Sequence, residues 1–274
     1  MRTPGQWLTY RLQRIPRKLG FASNRLGWLY RDARNGLRIW WELGLLKRPL
    51  TDLTRYERRI DSQHGEDGIL EAILSVIGTP TRYFVELGSG DATECNTLYL
   101  SRWKGWNGLW IDSTYVDRQG RVKREHVTAE NVEAIFARYG VPRTFDLLSI
   151  DLDGNDYWVW KALLSYEPRV VIIEYNANLP PHERKTIPYD PAFRWDGITS
   201  YYGASLSALQ ILGSEKGYCL VGCDSSGTNA VFVKEALAHQ GRILPSDVAS
   251  AYRPPTCFDG QGYPPDPLRP LIEV

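Results

Sequence analysis

The spacing of apolar residues changes along the chain and divides it. From Trp7 to about Leu46, Trp7, Leu8, Leu12, Ile15, Leu19, Leu26, Leu29 and Tyr30 are interleaved with arginines and interrupted near Pro16 and Gly20. This predicts two or three short amphipathic helices. A second helical run, Ile69, Leu70, Ile73, Leu74 and Ile77, follows Ser62-Gln63-His64-Gly65-Glu66-Asp67-Gly68 and stops at Gly78 and Pro80. Beyond it the pattern alternates. Strands are expected at 83–87, 108–112, 145–151 and 169–174, with helices over 96–103, 129–139 and 158–164. Apolar strands separated by helices predict an α/β fold whose parallel sheet is covered on both faces.

The last part of the pattern is different. A helix over 205–216, ended by Gly217, leads to Tyr218-Cys219-Leu220-Val221-Gly222, the turn Asp224-Ser225-Ser226-Gly227, and Asn229-Ala230-Val231-Phe232-Val233. So few residues join these two strands that they must form an antiparallel hairpin rather than a crossover. The stretch from Arg253 to Pro270 is rich in Pro and Gly and reads as an extended strap. The expected organisation is a helical arm over 1–60, an α/β domain over 61–240 and a strap over 241–274.

Charge sharpens this division. The whole chain of 274 residues has a net charge of +1, which gives no general argument for a nucleic-acid partner. Residues 1–60, however, hold 14 Lys or Arg against 4 Asp or Glu, so a basic arm precedes an acidic body. A basic amphipathic arm with Trp suits either peripheral contact with an anionic membrane or a cap on the main domain. Four scattered cysteines, Cys95, Cys219, Cys223 and Cys257, and the lack of a leader-like apolar stretch near Met1 lead to an expected cytoplasmic location, with contact at the inner membrane face if the arm is membrane-seeking. A homo-oligomer is left open.

Candidate chemistry gathers at the carboxyl ends of the expected strands, where open α/β sheets bind ligands. Glu86-Leu87-Gly88-Ser89-Gly90-Asp91 follows the first strand, and its small residues allow close approach of a nucleotide-like ligand. Asp112 ends the next strand about 20 residues later, where an acidic side chain can accept ribose hydroxyls. The loop carrying Gln63 and His64 would overlie such a ligand. Further along, Asp151-Leu152-Asp153-Gly154-Asn155-Asp156 crowds three carboxylates into six residues. Either Mg²⁺, Mn²⁺ or a similar hard cation sits among them, or one carboxylate is protonated and serves as a base. Glu174-Tyr175-Asn176 supplies further oxygens from the adjacent strand. The irregular stretch 179–203, with His182, Trp195, Tyr201 and Tyr202, would cover the acceptor mouth.

The glycine turn resembles motif I of S-adenosylmethionine-dependent methyltransferases, and a parallel sheet closed by one antiparallel hairpin is the Rossmann-like architecture of their class I. The Asp151-Leu152-Asp153-Gly154 turn before an aromatic helix, together with Gly217-Tyr218 and Asn229-Ala230-Val231-Phe232-Val233, resembles the FkbM-like O-methyltransferases over roughly 62–234. Asp153 stands where an Asp-x-Glu-Gly pattern is more usual. The resemblance implies S-adenosylmethionine as cofactor, held by Gln63, Glu86, Gly88, Ser89, Gly90, Asp112 and Asp151. It implies a hydroxyl acceptor, since amino-methylating enzymes commonly carry Asn/Asp-Pro-Pro-Tyr/Phe at this place. By likeness to metal-dependent relatives, Asp151, Glu174 and Asn176 would hold the cation. Asp151, Asp153 and His182 are the candidate catalytic groups. Asn155, Tyr175, Trp195, Tyr201 and Tyr202 are expected to bind a sugar or glycan hydroxyl acceptor, lipid-linked if the arm seeks membrane. The alternatives are a cofactor-binding protein without turnover that docks through its arm, and a protein or nucleic-acid methyltransferase.

Overall fold

The computed structural model describes residues 35–117, 119–256 and 262–274. The helices expected between Trp7 and Tyr30, and with them most of the basic arm, lie outside the described residues. The chain divides into two units, 1–38 and 39–274, and all that follows concerns the second.

Among the described residues nine strands are formed: β1 Tyr83–Leu87, β2 Asn107–Asp112, β3 Val122–Arg124, β4 Thr144–Ile150, β5 Glu167–Glu174, β6 Lys185–Thr186, β7 Tyr218–Cys223, β8 Asn229–Lys234 and β9 Ile272–Glu273. Seven of them make one sheet in the order β3-β2-β1-β4-β5-β8-β7, while β6 pairs with β9 apart from it. Strands β3 to β5 in that order are parallel. β8 then runs antiparallel to both β5 and β7. This is the Rossmann-like sheet ending in an antiparallel hairpin that the apolar pattern predicts. The strand order reverses between β1 and β4, which opens the ligand crevice of such sheets at their carboxyl ends.

Side-chain alternation along the strands sorts the core into two layers. Val85, Leu87, Leu148, Ile150, Val171 and Ile173 face one cluster, and Phe84, Leu147, Val170 and Ile172 face the other. The first layer is covered by α3 Val132–Arg138, α4 Asp156–Ala162 and α5 Leu206–Glu215, the second by α1 Glu66–Ile77 and α2 Leu98–Lys104. Trp160 of α4 is fully buried, its ring 5.0 Å from Phe232 and 5.8 Å from Tyr218. Two further short helices, α6 Glu235–Gly241 and α7 Val248–Ala251, follow the hairpin.

Residues 39–56 belong to the same compact unit as the sheet. Leu43, Leu50, Leu53 and Tyr56 join the second layer. Leu50 forms a parallel bridge with Ile243, and its carbonyl accepts the Leu244 N–H at 3.0 Å. Leu53 sits over Gly222, where the β7–β8 register slips; a Cβ on Gly222 would lie 3.1 Å from the Leu53 side chain. The opposite side of this segment leaves Trp40, Trp41, Leu45 and Leu46 exposed.

A buried ion pair fastens the amino end of the sheet. Asp146 of β4 has no solvent exposure, and one of its oxygens accepts from Thr81 N, Thr81 Oγ1 and Arg82 N. The other meets Arg169 of β5 at 2.7 Å, and the Arg169 guanidinium also donates to the Ile77 and Gly78 carbonyls at the end of α1. Removing the acid strands a buried cation and three donors. Asp146→Ala is therefore expected to cost about 3–5 kcal/mol of stability, read from the shift in a urea unfolding midpoint; a loss below about 1 kcal/mol would contradict this role.

Candidate functional site

The floor of the crevice is built by close approach of β1 and β4. Asp151 N donates to Leu87 O at 3.0 Å. Gly88 takes φ +84°, and a Cβ there would fall 1.7 Å from the Asp151 carbonyl oxygen. Glycine is required at that point by the strand packing itself. Gly90, at φ +58°, would carry a Cβ with nothing within 4 Å, so this turn opens to the outside.

Asp112 ties the turn to β2. Its Oδ2 accepts from Gly90 N at 3.0 Å, and its Oδ1 accepts from Thr114 N and Tyr115 N at 2.7 and 2.8 Å. A carboxylate offers about four lone-pair sites, so a single one remains for a ligand hydroxyl. Glu86 is used internally. Its oxygens accept from Asn96 N and from Thr97 N and Oγ1 at the start of α2, and burial raises its pKa. Ser89 is also buried, its N–H donating to Ile111 O. Gln63 and His64 are exposed on the loop before α1, whose backbone is gathered by Asp67: its Oδ2 accepts from Ile60, Asp61 and Ser62 N. The open turn and the remaining acceptor of Asp112 thus fit a ribose-bearing ligand, whereas Glu86 and Ser89 are occupied by the fold.

The second half of the site is acidic. One oxygen each from Asp151, Asp153 and Glu174 lies within 4.8 Å of the others. Asp156, by contrast, belongs to the scaffold. It accepts from Leu152 N at 2.7 Å and Gly154 N at 2.9 Å, shaping the turn in which Asp153 takes φ +55°. Burial, reinforced by neighbouring carboxylates, pushes Asp151 and Glu174 well above the usual carboxylate range. Burial also raises Asp156 to about 6, against the pull of its two backbone donors. Among the described residues, Glu174 Oε2 is buried and has no hydrogen-bond partner. Three converging carboxylates with an unanswered buried oxygen fit a hard divalent cation.

Other expected residues are drawn into packing. The Asn176 amide is spent: its Nδ2 donates to Ser200 O and Tyr202 O, and its Oδ1 accepts from Asn178 N and Nδ2. Tyr175 is buried, and its hydroxyl donates to Arg253 O, fixing the strap to β5. His182 is exposed in a cleft with Glu183, Arg184, Lys185, Glu273 and Val274, and is not brought into the carboxylate group. Trp195 packs on Tyr202 and Tyr263 at 5.1 and 4.9 Å, and Tyr201 lies under the Arg269 guanidinium. These rings hold the 179–203 stretch together.

That stretch does lie on the acidic turn. Asn155 Nδ2 donates to Asp190 O at 2.8 Å, and Trp158 Nε1 donates to Ile187 O. The Phe193 ring packs so closely on Gly154 that a Cβ there would come within 2.4 Å of it. Phe193 was not marked by sequence reasoning, since only the tertiary contact with Gly154 sets it apart from other loop aromatics.

No family model and no curated protein sequence matches the chain. Among solved structures, the chain is similar to an O-methyltransferase family protein from Burkholderia thailandensis, with a TM-score of 0.33 and 13% identity over 78% of this chain and 73% of that chain.

The raised carboxyl groups set a pH dependence. A group whose folded pKa exceeds its unfolded value stabilises the fold at low pH and ceases to do so as pH rises through the folded value. For Asp156 alone, the rise from 3.8 to about 6 corresponds to roughly 3 kcal/mol. Asp117 and Asp196, held down to about 2, act only below pH 4. The thermal midpoint is expected to rise between pH 7.5 and 5.5 in metal-free buffer, and this slope should flatten with millimolar Mn²⁺. A midpoint that falls over that interval would contradict the assignment.

Proposed function

We propose that the chain is an S-adenosylmethionine-dependent O-methyltransferase acting on a hydroxyl of a sugar or glycan, with a divalent cation beside the acceptor. The observation that carries this reading is the convergence of Asp151, Asp153 and Glu174 next to the open Gly88–Gly90 turn. A hydroxyl acceptor must lose its proton as it attacks, which is work for carboxylates rather than for an amide or a backbone carbonyl.

S-adenosylmethionine, when bound, supplies a methyl group on a sulfonium, the electrophile for a single displacement. The remaining lone pair of Asp112, beside the open turn at Gly90, would hold its ribose side. With no cation on them, Asp151 and Glu174, whose proton affinity burial raises, are the groups placed to take the acceptor proton. A cation held by the same oxygens would lower the pKa of the acceptor hydroxyl. The stretch over Gly154 shields the reacting pair from water and orients the acceptor, and positioning of this kind accounts for a large part of the rate in two-substrate reactions. The sugar or glycan class rests on the polar and aromatic character of residues 182–202, in which Trp195 and Tyr201 are half-buried.

Calorimetric titration with S-adenosylmethionine and S-adenosylhomocysteine, each with and without Mg²⁺, tests the reading directly. Both ligands are expected to bind in the micromolar range. Asp151→Ala and Glu174→Ala are expected to lower methyl transfer at least about 100-fold while cofactor binding stays within a few-fold. Lack of binding by either ligand would overturn the proposal, and full activity in both variants would remove the acidic group from the mechanism.

A further inference from the structure

A fourth oxygen-bearing side chain, from a different part of the chain, stands opposite Glu174 in the sheet. Asn229 opens β8 and is the register partner of Glu174 at the end of β5. Residues directly opposite in an antiparallel pair project to the same face of the sheet, with Cβ atoms about 4.5–5.5 Å apart. Asn229 is 3% exposed. Its Nδ2 donates to Glu66 Oε1 at 2.8 Å, and its backbone N–H donates to Asp224 Oδ2. The first of these bonds fixes which end of the amide is which. The end left over is the acceptor, Oδ1, which is buried and has no partner among the described residues.

Two adjacent strand positions therefore each present a buried, unanswered oxygen: Glu174 Oε2 and Asn229 Oδ1. Unpaired buried acceptors are uncommon, because each loses its hydration without compensation. A pair of them at matching register, beside two further carboxylates, calls for one donor between them. Glu66, which holds the amide from behind, also acts electrostatically on Asp151, so the two clusters border one another. A hard cation meets this need, since it accepts carboxylate and amide oxygens alike and binds several at once.

We infer that Asn229 Oδ1 is an oxygen ligand of a divalent cation held by Asp151, Asp153 and Glu174, and that Glu66 orients it. This inference rests on the cation in the proposed function but not on methyl transfer. The position expected of Asn176 in the sequence reading is thus taken by an amide from the closing hairpin.

Mn²⁺ binding to the full chain, read by loss of the free-ion electron paramagnetic resonance signal, tests it without any acceptor or cofactor. Asn229→Leu is expected to weaken Mn²⁺ binding at least tenfold, with far-ultraviolet circular dichroism unchanged. Asn229→Asp combined with Glu66→Gln, which keeps an oxygen toward the cation and a donor–acceptor contact behind it, is expected to bind Mn²⁺ at least as tightly as the unaltered chain. Should the leucine variant fail to fold, the double variant decides alone, and weaker binding by it overturns the assignment. Equal affinity of the unaltered chain and the leucine variant also overturns it, while leaving the three-carboxylate centre standing. Absence of Mn²⁺ binding by the unaltered chain overturns the whole cation site, with methyl transfer still open to test.

Discussion

Negative charge withdrawn from water at one end of a parallel sheet is the constraint around which this molecule is arranged. Asp151, Asp156 and Glu174 are crowded together with little positive charge near them, a placement that costs stability unless each oxygen is answered. The fold answers some of them from its own backbone. Asp156 receives the N–H groups of Leu152 and Gly154, one oxygen of Asp67 takes three backbone donors, and the two oxygens of Asp112 share three. Beside the three-carboxylate group, Glu174 Oε2 and Asn229 Oδ1 are left unanswered by the described residues, and these are the oxygens that a group from outside the chain would meet. That division, between carboxylates that build the walls and carboxylates that face inward, is what gives the crevice a chemistry.

Much of the architecture was legible because it follows from periodicity. The strands at 83–87, 108–112 and 169–174 are continuous apolar runs buried on both faces, and such runs between helices admit few other arrangements. The hairpin was legible for a geometrical reason, since the short link through Asp224 and Gly227 cannot cross the sheet. β3 was missed: Val122–Arg124 is three residues long with two charges, and it exists because the edge of β2 was available to pair with it. The Pro- and Gly-rich composition of the tail predicts extended chain, yet Ile272–Glu273 adds a strand to Lys185–Thr186, a pairing between segments too short to carry a pattern.

The acidic group was legible as composition, three carboxylates in six residues, but the uses of individual polar atoms were not. Asn176 looks like a ligand when only its neighbours Glu174 and Tyr175 are considered. In the fold its amide is committed to Ser200, Tyr202 and Asn178. Glu86 likewise caps the start of α2, and the loop aromatics stack on one another. Spacing along the chain says which residues can share an end of a sheet. It does not say which partners will reach them first, because some of those partners come from far along the chain, as Asn229 does for Glu66, 163 residues away.

The bridge between Leu50 and Ile243 bears on the order in which the protein can be made. Synthesis proceeds from the amino end, at about 5–20 residues per second, so Leu50 leaves the ribosome roughly 10 to 40 s before its partner exists. During that interval Leu53 has no Gly222 beneath it, and β5 has no β8 along its outer edge. The parallel strands can assemble as they emerge, but the segment that precedes them stays unseated until the hairpin arrives from the opposite end of the chain. Nascent-chain binding factors that shield apolar segments therefore have their natural window here, and it closes once Gly222 and Ile243 have left the ribosome.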